Sequence, residues 1–143
     1  MSPSPRILLV EDDQDDQDFF ITILNDSDEV PLYAIANNGK EAIEYLKASD
    51  QLPTLIFVDI NMTLMNGMEF LQTLRNNQET MNIPVVMLST SFLEKEQAKK
   101  LGANAYLKKS SHYENARDQI NKMIRLDFIR DKLIASQTFT ADR

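Results

Sequence analysis

The chain has 143 residues, 43% apolar and 26% charged, with a formal net charge of −7, which describes one ordinary globular domain with room for a core. The acidic balance argues against binding a phosphate backbone, and the absence of cysteine excludes disulfides, thiolate metal sites and cysteine nucleophiles. No apolar run approaches a membrane span and the opening Met-Ser-Pro-Ser-Pro has no apolar leader core, so a cytoplasmic protein is expected.

Taken in order, residues 1–5 read as a short disordered lead. Ile7 to Val10 is a continuous apolar run that stops at Glu11, Asp12 and Asp13, the pattern of a buried strand with acid at its end. Asp15 to Leu24 carries Phe19, Phe20, Ile23 and Leu24 at helical spacing, with acids in the first turn that suit the helix dipole. Val30 to Ala36 reads as a second strand, and Asn38-Gly39-Lys40-Glu41 opens a helix bearing Ala42, Ile43 and Leu46. Leu55 to Val58 is the third apolar run, and it ends in Asp59. A polar loop closed by Asn66-Gly67 follows, then a helix with Phe70, Leu71 and Leu74 inward. Pro84 to Leu88 is the fourth run, ending in Ser89-Thr90, and Ser91-Phe92-Leu93-Glu94 begins the next helix. Ala103 to Leu107 is the fifth, ending in Lys108-Lys109, before a last helix from Ser111.

Four helix starts share one grammar. Asn38/Glu41, Asn66/Glu69, Ser91/Glu94 and Ser111/Glu114 each place a capping side chain three residues before glutamate. Strand and helix alternate five times, so the fold class is α/β, a doubly wound five-stranded parallel sheet with helices on both faces. In such a sheet every strand's carboxyl end lies on one rim, where open α/β sheets bind ligands. That rim receives Glu11, Asp12, Asp59, Ser89 and Lys109. Clustered carboxylates resist ionising together unless a cation joins them, and hard oxygen donors suit Mg2+. A lysine and a hydroxyl converging on a carboxylate nucleophile point to phosphoryl transfer onto Asp59.

These residues resemble the receiver domain of two-component response regulators, over roughly residues 6–125. Val10-Glu11-Asp12-Asp13 matches that family's acidic pair, and Asp59 with Asn61, Met62, Met65 and Gly67 its phosphoacceptor strand and loop. Ser89, Tyr106 and Lys109 fall at its hydroxyl, switch aromatic and lysine positions. The resemblance implies a flavodoxin-like (βα)5 fold and a phosphoacceptor that is not an enzyme in its own right. It implies Mg2+ held by Asp12, Asp59 and the Asn61 carbonyl, with Glu11 on a metal-bound water, and phosphoryl oxygens held by Ser89 and Lys109. A sensor histidine kinase, of a phytochrome-like type, and a downstream protein are the implied partners.

Thr63 and Ser110 depart from the family pattern, each standing where proline is usual, and without that proline a cis Lys109–Ser110 bond is not favoured. Thr90 is bulkier than usual at its position. The Lys-Lys-Ser and Ser-Thr-Ser strand endings resemble the small phytochrome-associated regulators. Asp13, Asp15, Asp16 and Asp18 read as helix-start and surface acids, and His112 as a surface residue near a helix start. A phosphorelay intermediate is the alternative role. A self-phosphorylating aspartyl phosphatase would want an acid where Asn61 stands, and a flavin carrier would not place Glu-Asp-Asp at its phosphate loop. Helical spacing continues past residue 125 through Leu126, Ile129 and Leu133, so a C-terminal helix extension and tail over 126–143, and a homodimer through this helix region, are expected.

Overall fold

The computed structural model describes residues 5–27 and 30–125. The expected C-terminal extension over 126–143, and the dimer contact assigned to it, lie outside the described residues. Five strands, β1 (Arg6–Val10), β2 (Leu32–Ala36), β3 (Leu55–Asp59), β4 (Val85–Ser89) and β5 (Ala105–Lys108), pair in parallel in the order β2-β1-β3-β4-β5. This is the flavodoxin-like order, in which the chain reverses direction between β1 and β3 and leaves a crevice at their carboxyl ends. β3 sits at the centre and every one of its residues is buried, which is why its sequence is an unbroken apolar run. β2 is an edge, and its Leu32 and Tyr33 remain exposed.

Strand alternation divides the core in two. Ile7, Leu9, Phe57, Val86 and Leu107 face α1 (Gln14–Asn25) and α5 (Tyr113–Arg125), where Phe20, Ile23, Ala116, Ile120 and Met123 meet them. Phe20 stacks edge-on against Phe57 with ring centroids 4.9 Å apart. Leu8, Val10, Ile56, Val58 and Met87 face the other way, onto α2 (Gly39–Ala48), α3 (Gly67–Arg75) and α4 (Lys95–Lys100). Each large side chain buried this way contributes about 1.5–3 kcal/mol.

The helix starts vary more than their shared grammar. At Asn66/Glu69 both bonds of the capping box form. Asn38 caps through the Glu41 N–H at 2.8 Å, but the Glu41 carboxylate turns to Asn37 instead of the Asn38 N–H. The box expected at Ser91/Glu94 does not form: Ser91 Oγ accepts from Leu93, and α4 begins only at Lys95. The Ser111/Glu114 box does not form either. Ser110 Oγ and His112 Nδ1 accept from the N–H groups of His112 and Asn115, and α5 starts at Tyr113. In both cases the chain stays non-helical past the predicted cap, and the helix begins later than the serine–glutamate spacing indicates. β2 likewise begins at Leu32, two residues later than Val30, where it finds Arg6 as its first partner.

Candidate acidic phosphoryl site

β1 and β3 lie side by side, with Val10 in register with Val58. The residues just beyond them, Glu11 and Asp12, therefore reach the same rim as Asp59. One oxygen from each of Glu11, Asp12 and Asp59 lies within 4.8 Å of the others. Glu11 is 1% exposed and Asp59 5%, while Asp12 faces solvent. The three carboxylates read from the strand ends therefore lie together on this rim.

Lys109 enters from β5, its backbone N–H fixed to the Ser89 carbonyl at 2.6 Å. Its Nζ lies 2.8 Å from Glu11 Oε1, 2.7 Å from Asp16 Oδ2 and 3.2 Å from Asp59 Oδ2. Burial alone would pull the ammonium pKa down, but the hydrogen bonds to Asp16 and Glu11 and the nearby charges hold it above the ordinary lysine value. Burial pushes the Glu11 carboxyl up to about 7, against the lowering effect of its Lys109 hydrogen bond, with the Asp59 charge adding to the rise. The site is thus a carboxylate cluster whose charge one lysine only partly balances.

The loop after β3 closes over this cluster. Gly67 is required there, since a Cβ would lie 2.4 Å from the Asp59 carbonyl oxygen. The Asn61 N–H donates to Asp59 Oδ1 at 3.3 Å, and the Thr63 N–H donates to Asp12 Oδ2 at 3.2 Å. Leu64 and Met65 take left-handed conformations, with φ 48° and 69°, and the Met65 carbonyl is tied down by the Gly39 N–H. Ser89, 1% exposed at the end of β4, accepts from the Ser91 N–H. The Lys109–Ser110 bond is trans.

Tyr106 stands in β5, at the switch-aromatic position. Its ring is fully buried, and its hydroxyl donates to the Ser91 carbonyl at 2.7 Å. His112 is exposed, as expected.

Two residues of the site escape a strand-end reading. Asp16 is not a mere surface acid, because it holds Lys109. Gln17 is buried, and its amide donates to the Glu11 carbonyl at 2.6 Å and to Asn37 Oδ1 at 2.8 Å, joining the first two rim loops. The signal for both was present. Stepping back three and four residues from Phe20, along the buried stripe of α1, lands on Gln17 and Asp16.

Among known proteins, the chain is 36% identical over 86 residues to a protein-glutamate methylesterase/protein-glutamine glutaminase of Nitrosospira multiformis, covering 60% of this chain. It spans only 23–31% of the length of that protein and of two similar methylesterases. Over 116 residues it is 32% identical to response regulator Rcp1 of Synechocystis sp., covering 76% of this chain and 79% of Rcp1. The fold matches the phosphorylated cyanobacterial phytochrome response regulator RcpA with a TM-score of 0.80 at 26% identity, covering 90% and 97% of the two chains. The Mn2+-bound form of Rcp1 matches with a TM-score of 0.71 at 30% identity, covering 85% and 89%. The family model for the response regulator receiver domain matches residues 7–125, so that the rim of acids, hydroxyl and lysine falls wholly inside it and the chain belongs to that family.

Proposed function

We propose that this chain acts as a stand-alone response regulator, taking a phosphoryl group onto Asp59 from a sensor histidine kinase and signalling to a protein partner through a change of conformation. One juxtaposition supports the assignment: Asp59 lies 3.2 Å from the Lys109 ammonium while sharing a cluster with Glu11 and Asp12. Receiver domains bind Mg2+ at an acidic pocket, and three hard carboxylate donors without sulfur or imidazole fit that ion. We assign it to Asp12, Asp59 and the Asn61 carbonyl, with Glu11 acting through water. Once bound, Mg2+ supplies positive charge beside the transferring phosphoryl oxygens.

The remaining chemistry is that of the chain itself. An Asp59 oxygen forms the new P–O bond as the P–N bond to the donor's phosphohistidine breaks, its electron pair leaving with the imidazole. Lys109 and the Ser89 hydroxyl then face the phosphoryl oxygens, and Ser89, linked through Ser91 to Tyr106, relays the change to α4 and β5. The likeness to RcpA, a phytochrome response regulator, favours a phytochrome-type kinase as donor. The apolar spacing of Leu126, Ile129 and Leu133 favours a homodimer through residues 126–143.

Labelling with a small acyl phosphate and Mg2+ tests the assignment. Wild type should gain an acid- and base-labile phosphate and Asp59→Asn should gain none, while Lys109→Ala should still label but lose its conformational response. Undiminished labelling of Asp59→Asn with the same lability would overturn it.

A further inference from the structure

An ammonium has three N–H donors. At Lys109 three carboxylates claim them, and the shortest contact, 2.7 Å, is to Asp16, whereas Asp59 is the most distant at 3.2 Å. Asp16 comes from another element, the first turn of α1, and its own N–H is fixed by the Asp13 cap at 2.9 Å. Its side chain is half exposed, whereas those of Glu11 and Asp59 are buried, so the ammonium is shared between one solvent-facing carboxylate and two buried ones. Any phosphoryl oxygen on Asp59 must take a donor that one of these carboxylates now holds.

Building on the phosphoacceptor assignment above, we propose that Asp16 is a positioning residue: it holds Lys109 back toward α1 and competes with the Asp59 phosphoryl group for the ammonium. It weakens the phosphorylated state and so lowers the resting tendency of the regulator to stay switched on. A partly exposed pair of this kind carries a modest free energy, so its removal should shift phosphoryl affinity about two- to five-fold.

The probe is beryllofluoride with saturating Mg2+, which mimics the phosphoryl group without forming a lasting acyl phosphate. Asp16→Ala should tighten its binding about two- to five-fold, and Asp16→Glu, which restores the carboxylate, should return toward wild type. Asp18→Ala removes the same charge from the same helix without touching Lys109 and should change affinity by less than half as much. In metal-free protein, the Lys109 side-chain 15N resonance should move in Asp16→Ala and stay in place in Asp18→Ala. Equal tightening by Asp18→Ala would reduce the effect to general charge and overturn the inference, as would unchanged or weaker binding in Asp16→Ala. Wild type that binds no beryllofluoride, or Asp59→Asn that binds it equally well, would instead remove the phosphoacceptor assignment, and this inference with it.

Discussion

Glu11 offers the most quantitative perturbation, because burial raises its carboxyl pKa to about 7, within the range a buffer can scan. A cation joining the cluster needs that carboxylate ionised, so proton and Mg2+ compete. With a pKa of about 7, the ionised fraction rises about 25-fold between pH 5.5 and 7.5, and apparent Mg2+ affinity should rise with it. Stability of the metal-free protein should run the other way. The folded pKa lies above the ordinary 4.5, so the contribution is complete below pH 4.5 and is lost as pH rises through about 7. A shift of that size corresponds to about 3 kcal/mol. Lys109 does not blur this window, since its own pKa is raised from an already high value. Calorimetric Mg2+ titrations at several pH values, with chemical denaturation in chelator alongside, would measure both slopes. Glu11→Gln should bind Mg2+ more weakly at pH 7.5 and lose most of the pH dependence between 5.5 and 7.5. A wild-type affinity that changes less than two-fold over that range, or an unchanged slope in Glu11→Gln, would refute the reasoning.

Other expectations follow from contacts elsewhere in the fold. Arg75, at the end of α3, donates to the carbonyls of Ile83 and Gly102 at 2.8 Å each and to Asn104 Oδ1 at 3.1 Å, so Arg75→Ala should cost about 2–4 kcal/mol of unfolding free energy by leaving them unpaired. Ser89→Ala should label normally yet show much less difference in partner affinity between its two states, as read by a pull-down titration. Tyr106→Phe, which removes the hydroxyl contact to the Ser91 carbonyl, should loosen residues 89–93 and raise their amide hydrogen exchange in the unphosphorylated protein. Sedimentation of the full chain beside one ending at Arg125 should show self-association only in the longer form; equal, monomeric masses would exclude the dimer.

How much of this was legible in the sequence depends on whether the cause was local. β1, β3 and β4 are buried on both faces, and burial writes itself into the chain as uninterrupted apolar runs. Their carboxyl ends share a rim by topology alone, so Glu11, Asp12, Asp59, Ser89 and Lys109 could be gathered without coordinates. Helix starts were less secure. Ser91 and Ser111 have the right residues at the right spacing, yet the chain stays non-helical past them, and tertiary context overrides the cap signal. Asp16 was misjudged because it sits in a run of acids, where composition suggests a solvated surface. Only its phase relative to Phe20 distinguishes it from Asp15 and Asp18, and that phase sends it toward β5.

Thr63 shows how a departure from the family pattern can be read physically. A proline there would fix the backbone of the loop but would have no N–H to give. Threonine supplies that N–H, and it lands on Asp12, the most exposed of the three clustered acids. The loop is then pinned from three directions: by Asp12 through Thr63, by Asp59 through Asn61, and by Gly39 through the Met65 carbonyl. Those ties hold Leu64 and Met65 in left-handed conformations that neither residue favours alone. Rigidity that proline would build into the chain is supplied here by hydrogen bonds, and two of them end on the carboxylates of the site itself. If Asp59 is the phosphoacceptor proposed above, charge placed on it would reach the loop directly through the Asn61 N–H, alongside the route proposed through Ser89.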